Sequence, residues 1–306
     1  MEASFRPAYL NLLESGALEE RIRQANALLS PCRLCPRKCL AERLVGKAGV
    51  CHTGALARVD GWCAHPGEEP VLSGRRGSGT IFFCGCNLRC VYCQNFEISQ
   101  GAAGREMSAA ELAAGMLDLQ ERGCHNINLV SPTHVVPQIL EALLIAARAG
   151  LRLPLVYNTG GYDALETLRL LDGVVDIYLP DMKYADAKTA ERYSQVKNYP
   201  AHNRAAVLEM HRQVGDLQLN AEGLAVRGLL VRHLVLPNHL AGIRQIARFL
   251  AEEVSPNTAL NLMGQYRPEF HAGEHFPLNR PPTAAEFQAA QQAAGQAGLT
   301  LPAGWN

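Results

Sequence analysis

The sequence lacks a net charge, because its 306 residues contain 29 lysines and arginines and 29 aspartates and glutamates. A chain without a positive excess has no long-range attraction for nucleic acid or for an anionic membrane surface. The sequence also lacks a run of about eighteen uninterrupted apolar residues, which a membrane-spanning helix needs. Residues 1–24 mix both signs of charge with leucines, so they predict neither a signal peptide nor a membrane anchor. We therefore expect no nucleic-acid partner, no membrane partner and a location in the cytoplasm.

Low-complexity tracts and long internal repeats are also missing. The composition, 48% hydrophobic and 19% charged, is typical of a globular protein whose length allows one full core with additional segments around it. What the sequence does contain is ten cysteines. In a reducing compartment, clustered thiols indicate metal binding more often than disulfides. The spacing of the cysteines is therefore informative.

Three cysteines, Cys86, Cys90 and Cys93, follow an apolar run at 80–83 that is typical of a buried strand. Their spacing lets a loop fold back so that three thiolates converge on one inorganic group. A structural zinc site takes four ligands, and a fully ligated four-iron cluster takes four cysteines. Three thiolates hold a four-iron cluster and leave one iron open for a substrate. A chance loop, a zinc site or a disulfide would not explain the strand before this loop or the aromatic residue within it.

The pattern C-x3-C-x2-C, with Tyr92 before the last cysteine, resembles the signature of radical S-adenosylmethionine (SAM) enzymes. The wider string CNLRCVYCQN is most similar to the branch related to pyruvate formate-lyase activating enzyme, and the resemblance extends over about 32–270. It implies a [4Fe-4S] cluster on Cys86, Cys90 and Cys93, with SAM on the open iron and Tyr92 near the adenine. It also implies reductive cleavage of SAM to a 5′-deoxyadenosyl radical, which abstracts hydrogen from a substrate carbon.

The same resemblance implies further contacts to SAM. Asp181 and Lys183 match a D-x-K sequence in which the lysine pairs with the SAM carboxylate. Asn158 and Thr159 stand where the family has an acidic residue and a threonine near the methionine moiety.

One position departs from the family. A Gly-Gly-Glu sequence usually binds the SAM amino group, whereas this chain has SPTH at 131–134. Ser131 and Thr133 offer a hydroxyl and backbone carbonyls there instead. His134 either contacts substrate or caps the next helix.

The hydrophobic pattern after the cysteine loop alternates between strands and helices. Strands are predicted at 80–83, 126–130, 153–158, 174–181, 228–237 and 258–264, and helices between them include 135–148, 163–172, 186–197 and 239–253. Six such units predict an α/β fold with parallel pairing. They are too few for an eight-stranded barrel and predict a partial (β/α)6 barrel, the architecture that the resemblance also implies. Polar residues gather at the strand ends and hardly at all within strands, as expected for an active face.

Three domains are expected from this pattern. A helix and a cysteine-rich metal-binding extension occupy 1–76, the partial barrel occupies 77–270, and a C-terminal helical tail that caps the barrel occupies 271–306. The glycine-rich segment between residue 51 and the first barrel strand predicts a loop with one short strand.

The extension contains a second cysteine group, Cys32, Cys35, Cys39 and Cys51. Four cysteines, two of them as C-x2-C, meet the requirements of a closed tetrahedral zinc site. An auxiliary iron–sulfur cluster that relays electrons fits them as well, and so do unligated structural thiols.

Three functions remain open on the sequence. The chain is a radical SAM enzyme that activates or modifies a protein or peptide, as glycyl-radical activating enzymes do, or one that acts on a small molecule. The third hypothesis is a non-catalytic iron–sulfur binding or redox-sensing protein. A flavodoxin or ferredoxin is the expected electron donor; Arg75, Arg76 and Arg89 would suit its acidic surface, although they fit solvated arginines equally well.

Overall fold

The computed structural model describes residues 5–101, 103–299 and 301. Within this part of the chain, nine strands form one sheet in the order β3-β1-β2-β4-β5-β6-β8-β7, and β9 also pairs with β8. The strands are β1 (Ala57–His65), β2 (Ser78–Phe83), β3 (Arg105–Met107), β4 (Ile127–Val130), β5 (Leu155–Thr159), β6 (Ile177–Pro180), β7 (Gln218–Leu219), β8 (Ala225–Leu234) and β9 (Ala259–Met263).

Six of these strands, β2, β4, β5, β6, β8 and β9, pair in parallel one after another. This confirms the predicted strand–helix units and the partial barrel. In the described residues β2 pairs with β1 on its other side and not with β9, so the barrel stays open. The carboxyl ends of all six parallel strands meet at one edge of the sheet.

The helices lie between and around these strands. They are α1 (Tyr9–Glu14), α2 (Ala17–Asn26), α3 (Pro70–Ser73), α4 (Phe96–Ser99), α5 (Ala109–Glu121), α6 (Val136–Arg148), α7 (Leu165–Leu170), α8 (Ala187–Ser194), α9 (Tyr199–Val214), α10 (Ile243–Phe249) and α11 (Ala284–Gln296). Reciprocal capping boxes start α5 at Ser108 and Glu111 and α11 at Thr283 and Glu286. Short 3-10 turns occupy Arg43–Val45, Pro237–His239 and Ala272–Glu274, and a π-helical turn, Leu250–Val254, follows α10.

The segment before β2 contains the one predicted strand, but the prediction that this strand is short is wrong. β1 spans nine residues and pairs antiparallel with β2, with an irregular register between Val59 and Gly61. Several of its side chains, including Cys63, are exposed, so the strand lacks the clean alternation that a half-buried strand shows in sequence.

One apolar core joins the barrel to both flanking segments. Tyr9, Leu18 and Ala25 from α1 and α2, and Ala290 from α11, are buried in the same cluster as the outer faces of the barrel strands. The proposed domain boundaries therefore stay a prediction, since the segments that they separate share this core. None of the helices in the described ranges has the length and apolarity to cross a bilayer.

Candidate functional site

A cavity of about 360 Å³ opens at the carboxyl ends of the parallel strands. Its lining brings together the three cysteines and six of the seven residues predicted to contact SAM, namely Cys86, Cys90, Cys93, Tyr92, Ser131, Asn158, Thr159, Asp181 and Lys183. Their individual roles stay predictions, but their convergence on one cavity is a property of the fold.

The loop after β2 positions the three thiols. Cys90 Sγ lies 2.9 Å from Ser194 Oγ, Cys93 Sγ lies 3.1 Å from Ser99 Oγ, and Cys86 Sγ accepts the Leu88 N–H at 3.3 Å. Burial raises the pKa of Cys86 to about 12 and that of Cys90 to about 11. Both thiols are therefore protonated at neutral pH until a metal displaces their protons.

The donor set fits a cluster with one open iron. Three thiols line the cavity, and the described lining includes no fourth cysteine. Cys84, two residues before Cys86, is buried elsewhere, and a Cβ at Gly104 would stand 2.3 Å from its sulfur. The side chain of Cys84, which follows the last residue of β2, does not line the cavity.

A charged network crosses the next strand ends. Lys183 Nζ donates to Asp181 Oδ2 at 2.6 Å, and Arg232 Nε donates to Asp181 Oδ1 at 3.0 Å. Burial acts to raise the pKa of Asp181, but the two cations outweigh it and hold that pKa below its usual range. Because the Lys183 ammonium has three donors, its bond to Asp181 leaves others for a ligand carboxylate.

Sequence reasoning missed Arg232, which lines the cavity together with Glu68. Arg232 lies within β8, faces the cavity and donates from Nη2 to Asn158 Oδ1 at 2.6 Å. Glu68 lies in the loop between β1 and α3, with Oε2 3.9 Å from Arg232 Nη1. Burial raises the pKa of this Glu68 carboxyl. The expectation that strand interiors carry hardly any polar residues is therefore wrong at Arg232. Arg232 and Leu234 are two residues apart in β8, so both side chains lie on the face that lines the cavity.

Thr133 does not line the cavity. Its hydroxyl donates to Asp163 Oδ1 at 2.7 Å, and the Thr159 hydroxyl donates to Asp163 Oδ2 at 2.7 Å. Burial raises the pKa of Asp163, although the hydroxyl donors oppose this. Asp163, which sequence reasoning missed, thus holds the Thr159 side chain from outside the cavity lining. Ser131 does line the cavity, and its backbone is left-handed with φ of 60°.

Both alternatives for His134 are wrong. Its ring is buried, and Nε2 lies 2.9 Å from the Cys84 carbonyl oxygen, so it neither lines the cavity nor caps α6. Burial lowers the pKa of His134 to about 4. The neutral ring therefore donates its Nε2–H to the backbone that leads into the three-cysteine loop.

Helix α9 supplies two further positioning residues that sequence reasoning missed. The Tyr199 hydroxyl accepts the Lys183 N–H at 3.1 Å and lies 2.9 Å from the Gly160 carbonyl oxygen. Asn203 Nδ2 donates to the carbonyl oxygens of Gly161 and Asp181, each at 2.9 Å. Helix α9, which precedes β8, therefore fixes the ends of β5 and β6.

The three arginines expected to bind an electron donor do not form one surface. Arg75 and Arg76 precede β2, whereas the cysteine loop follows it, so the six residues of β2 separate them by roughly 20 Å. Arg89 lies in the loop but is half-buried, and its Nη1 is buried.

The chain is an α/β protein with an open parallel barrel, and a three-cysteine loop suited to an iron–sulfur cluster lies at the mouth of this barrel. The sequence profile of the Radical SAM superfamily matches residues 80–250, and the chain belongs to this superfamily of enzymes. The family implies a [4Fe-4S] cluster and SAM as cofactors.

A relative is similar over nearly the whole chain. It is the uncharacterized protein MJ0674 of Methanocaldococcus jannaschii, 31% identical over 95% of this chain and 82% of the relative. Two solved structures are similar at lower identity. One is a radical SAM methyltransferase from Sphaerobacter thermophilus, 14% identical with a TM-score of 0.48 over 73% of this chain and 65% of that one. The other is Streptococcus suis SuiB bound to precursor peptide SuiA, 11% identical with a TM-score of 0.46 over 71% and 45%.

Proposed function

We propose that this chain cleaves SAM reductively and uses the resulting radical to abstract hydrogen from a protein or peptide, as glycyl-radical activating enzymes do. The observation that carries the proposal is the single cavity lined by Cys86, Cys90 and Cys93 together with the predicted SAM contacts. When bound, the reduced cluster supplies the electron that breaks the sulfur–carbon bond of SAM and yields a 5′-deoxyadenosyl radical.

The residues of this chain bind and orient the cofactors. The three thiolates ligate iron, and the Lys183 ammonium pairs with the SAM carboxylate while Asp181 holds it in place. Tyr92 packs edge-on against Tyr184, at 6.4 Å between ring centroids, and against Tyr266, at 5.8 Å. This aromatic wall keeps water from the loop that carries the cluster.

The size and accessibility of the cavity bear on the substrate, because a closed pocket of a few hundred cubic ångströms would favour a small molecule and an open one a protein or peptide. A volume of about 360 Å³ lies at the low end of the roughly 300–1,000 Å³ typical of ligand pockets. Because SAM must occupy this space, little room remains for a second free molecule. A peptide can instead reach in from the mouth, where Gln94 and Asn95 are exposed.

A small polar molecule is the second candidate substrate. Glu68 and Arg232 face the cavity and offer one acidic and one basic group. They would bind a small substrate with complementary polar groups.

The proposal also requires a cytoplasmic reductant of the flavodoxin or ferredoxin class. It would deliver one electron for each SAM cleaved and thus has to approach the three-cysteine loop. The exposed Gln94 and Asn95 mark the accessible side of this loop.

The experiment is to reconstitute the protein without oxygen, add SAM and dithionite, and measure 5′-deoxyadenosine. Wild type should release it, Cys90→Ala should fall to background with loss of cluster iron, and Cys63→Ala, at an exposed thiol outside the cavity, should match wild type. Equal release by Cys90→Ala, or no release by fully loaded wild type, would contradict the proposal.

The substrate class is tested with perdeuterated cell extract separated by ultrafiltration. Deuterium should enter 5′-deoxyadenosine when the macromolecular fraction is supplied. Deuterium transfer from the low-molecular-weight fraction alone would reject the protein or peptide substrate and favour the small molecule.

A further inference from the structure

The cysteines of the N-terminal segment surround a second, separate cavity of about 10 Å³. We call Cys32, Cys35, Cys39 and Cys51, which all line it, the head site. The Gly49 backbone lies so close to Cys39 that a Cβ at residue 49 would stand 2.5 Å from the sulfur. The chain therefore gathers four thiols around one small space.

A fully buried arginine faces the same cavity. Arg43 donates from Nε to the Gly54 carbonyl oxygen at 2.9 Å and from Nη1 to the His134 carbonyl oxygen at 2.7 Å. Nη1 also lies 4.0 Å from Cys32 Sγ, and Nη2 is buried without a hydrogen-bond partner. Among the described residues no carboxylate pairs with this guanidinium. Burying a permanent positive charge without an anion beside it is unfavourable.

We propose that the four cysteines of the head site bind a metal centre as thiolates and that Arg43 is the counter-ion of that centre. Four thiolates around Zn²⁺ or around a [4Fe-4S]²⁺ core leave a net charge of about −2 in either case. Metal binding releases the four thiol protons and supplies the negative charge that Arg43 lacks, whereas free thiols supply none.

The distances between the thiols do not distinguish the head site from the predicted cluster site as a place that binds metal. No three Cys, His, Asp or Glu side chains in the described ranges converge closely enough to hold one metal ion as they stand. Neither the head site nor the group of Cys86, Cys90 and Cys93 is an exception. The buried charge of Arg43 is therefore the observation that points to a bound centre.

The head site lies against the loop that carries the predicted cluster ligands. Arg37 Nε donates to the Asn87 carbonyl oxygen at 2.5 Å, and Asn87, the residue after Cys86, lines the head cavity. A Cβ at Gly85 would stand 2.2 Å from the Cys51 carbonyl oxygen. A metal at the head site would thus fix the backbone against which this loop packs.

The test uses the full chain with Cys86→Ala, Cys90→Ala and Cys93→Ala combined, so that the predicted SAM cluster cannot form. After anaerobic reconstitution with iron, sulfide and zinc, elemental analysis should find about one zinc or about four irons per chain. The two results support the proposal equally and identify the occupant. Adding Cys35→Ser should abolish the metal. No metal in the triple variant, or unchanged metal after Cys35→Ser, would overturn the proposal.

The counter-ion role is tested in the same triple background by following metal transfer to a chelator. Arg43→Met should release metal about tenfold faster or more, the range of losses seen when residues behind metal ligands are replaced. Arg43→Lys keeps the charge and should stay near the parent rate, as should Arg33→Met at an exposed arginine beside Cys32. An unchanged rate in Arg43→Met would overturn this role.

If Arg43→Met fails to fold by circular dichroism, Arg43→Gln, which can still donate to a backbone carbonyl, replaces it with the same expected rates. These readouts do not involve SAM, so their failure is distinct from failure of the proposed function.

Discussion

At the scale of single residues, Gly85 decides how the three-cysteine loop leaves β2. Its backbone is left-handed, with φ of +79°, and a Cβ there would meet the Cys51 carbonyl oxygen at 2.2 Å. We expect Gly85→Ala to destabilise the fold by about 3 kcal/mol or more, since the strain of the left-handed backbone adds to a clash with main chain that cannot rotate away. Urea unfolding measures this loss, and iron content should fall with it because Cys86 is the next residue.

The matched control is Gly223, whose φ is +78° but whose Cβ would meet nothing within 4 Å. Gly223→Ala should cost only the left-handed strain, about 1 kcal/mol. If the two variants lose equal stability and both keep full iron, the close packing of Gly85 against Cys51 has no consequence for the site.

At the scale of secondary-structure elements, α9 holds two barrel strands at their carboxyl ends. Tyr199→Phe removes the hydroxyl that the Lys183 N–H and the Gly160 carbonyl share. Leaving such buried groups unpaired costs about 1–3 kcal/mol. Because Lys183 and Gly160 line the cavity, part of this cost should appear as weaker SAM binding, about tenfold in dissociation constant. Calorimetric titration of the reconstituted protein with SAM measures it.

Tyr9→Phe is the control for this prediction. The Tyr9 hydroxyl donates to the Leu153 carbonyl oxygen at 3.0 Å, and the residue lies in α1, outside the cavity lining. Loss of this hydroxyl should lower the free energy of unfolding by about as much as Tyr199→Phe does, while the affinity for SAM stays unchanged. A Tyr199→Phe variant that binds SAM as tightly as Tyr9→Phe would show that α9 does not position the strand ends.

The elements also show how far the sequence predicts the fold. The parallel strands and their helices were predictable because their apolar residues recur with clear periods and because Ser108 and Thr283 start helices with capping boxes. The full length of β1 was not, since its exposed side chains and irregular register hide its period. The gathering of Cys86, Cys90 and Cys93 around one cavity was predictable from their spacing. Arg232, Asp163 and Tyr199 were not, because their roles depend on contacts between residues far apart in the chain.

At the scale of the whole molecule, one core joins both flanking segments to the barrel. We therefore expect the protein to unfold in a single transition. Buried histidines should make that transition sensitive to acid. His233 lies in β8 with Nδ1 2.6 Å from the Met182 carbonyl oxygen, and burial lowers its pKa to about 4, as it does for His134.

The sign follows from proton binding. Below about pH 6.5 the unfolded chain takes up a proton on each of these histidines, whereas the folded chain does so only near pH 4. The unfolded state therefore gains stability as pH falls from 6.5 towards 4. Between pH 7 and pH 5 each ring should lower the free energy of unfolding by about 2 kcal/mol.

Other groups titrate in the same window and act in the opposite direction. Burial raises the pKa of Asp176 to about 6, so this carboxyl favours the folded state as pH falls from about 6 towards 4. A change measured on the wild type alone therefore mixes both effects. Comparing the wild type with His233→Asn isolates the histidine, because Asp176 is common to both proteins. The asparagine amide can still donate to the Met182 carbonyl but cannot take up a proton.

Urea unfolding at pH 7 and pH 5 provides the measurement. His233→Asn should be less stable at pH 7, because a smaller side chain leaves a cavity. The further loss of unfolding free energy on acidification to pH 5 should nevertheless be about 2 kcal/mol smaller in this variant than in the wild type.

His52→Asn is the control, since that side chain is exposed and its left-handed backbone, with φ of 57°, suits asparagine. It should lose as much stability on acidification as the wild type does. If His233→Asn and the wild type lose equal stability, the His233 ring takes up its proton at the same pH in the folded and the unfolded chain, and a pKa lowered by burial is ruled out.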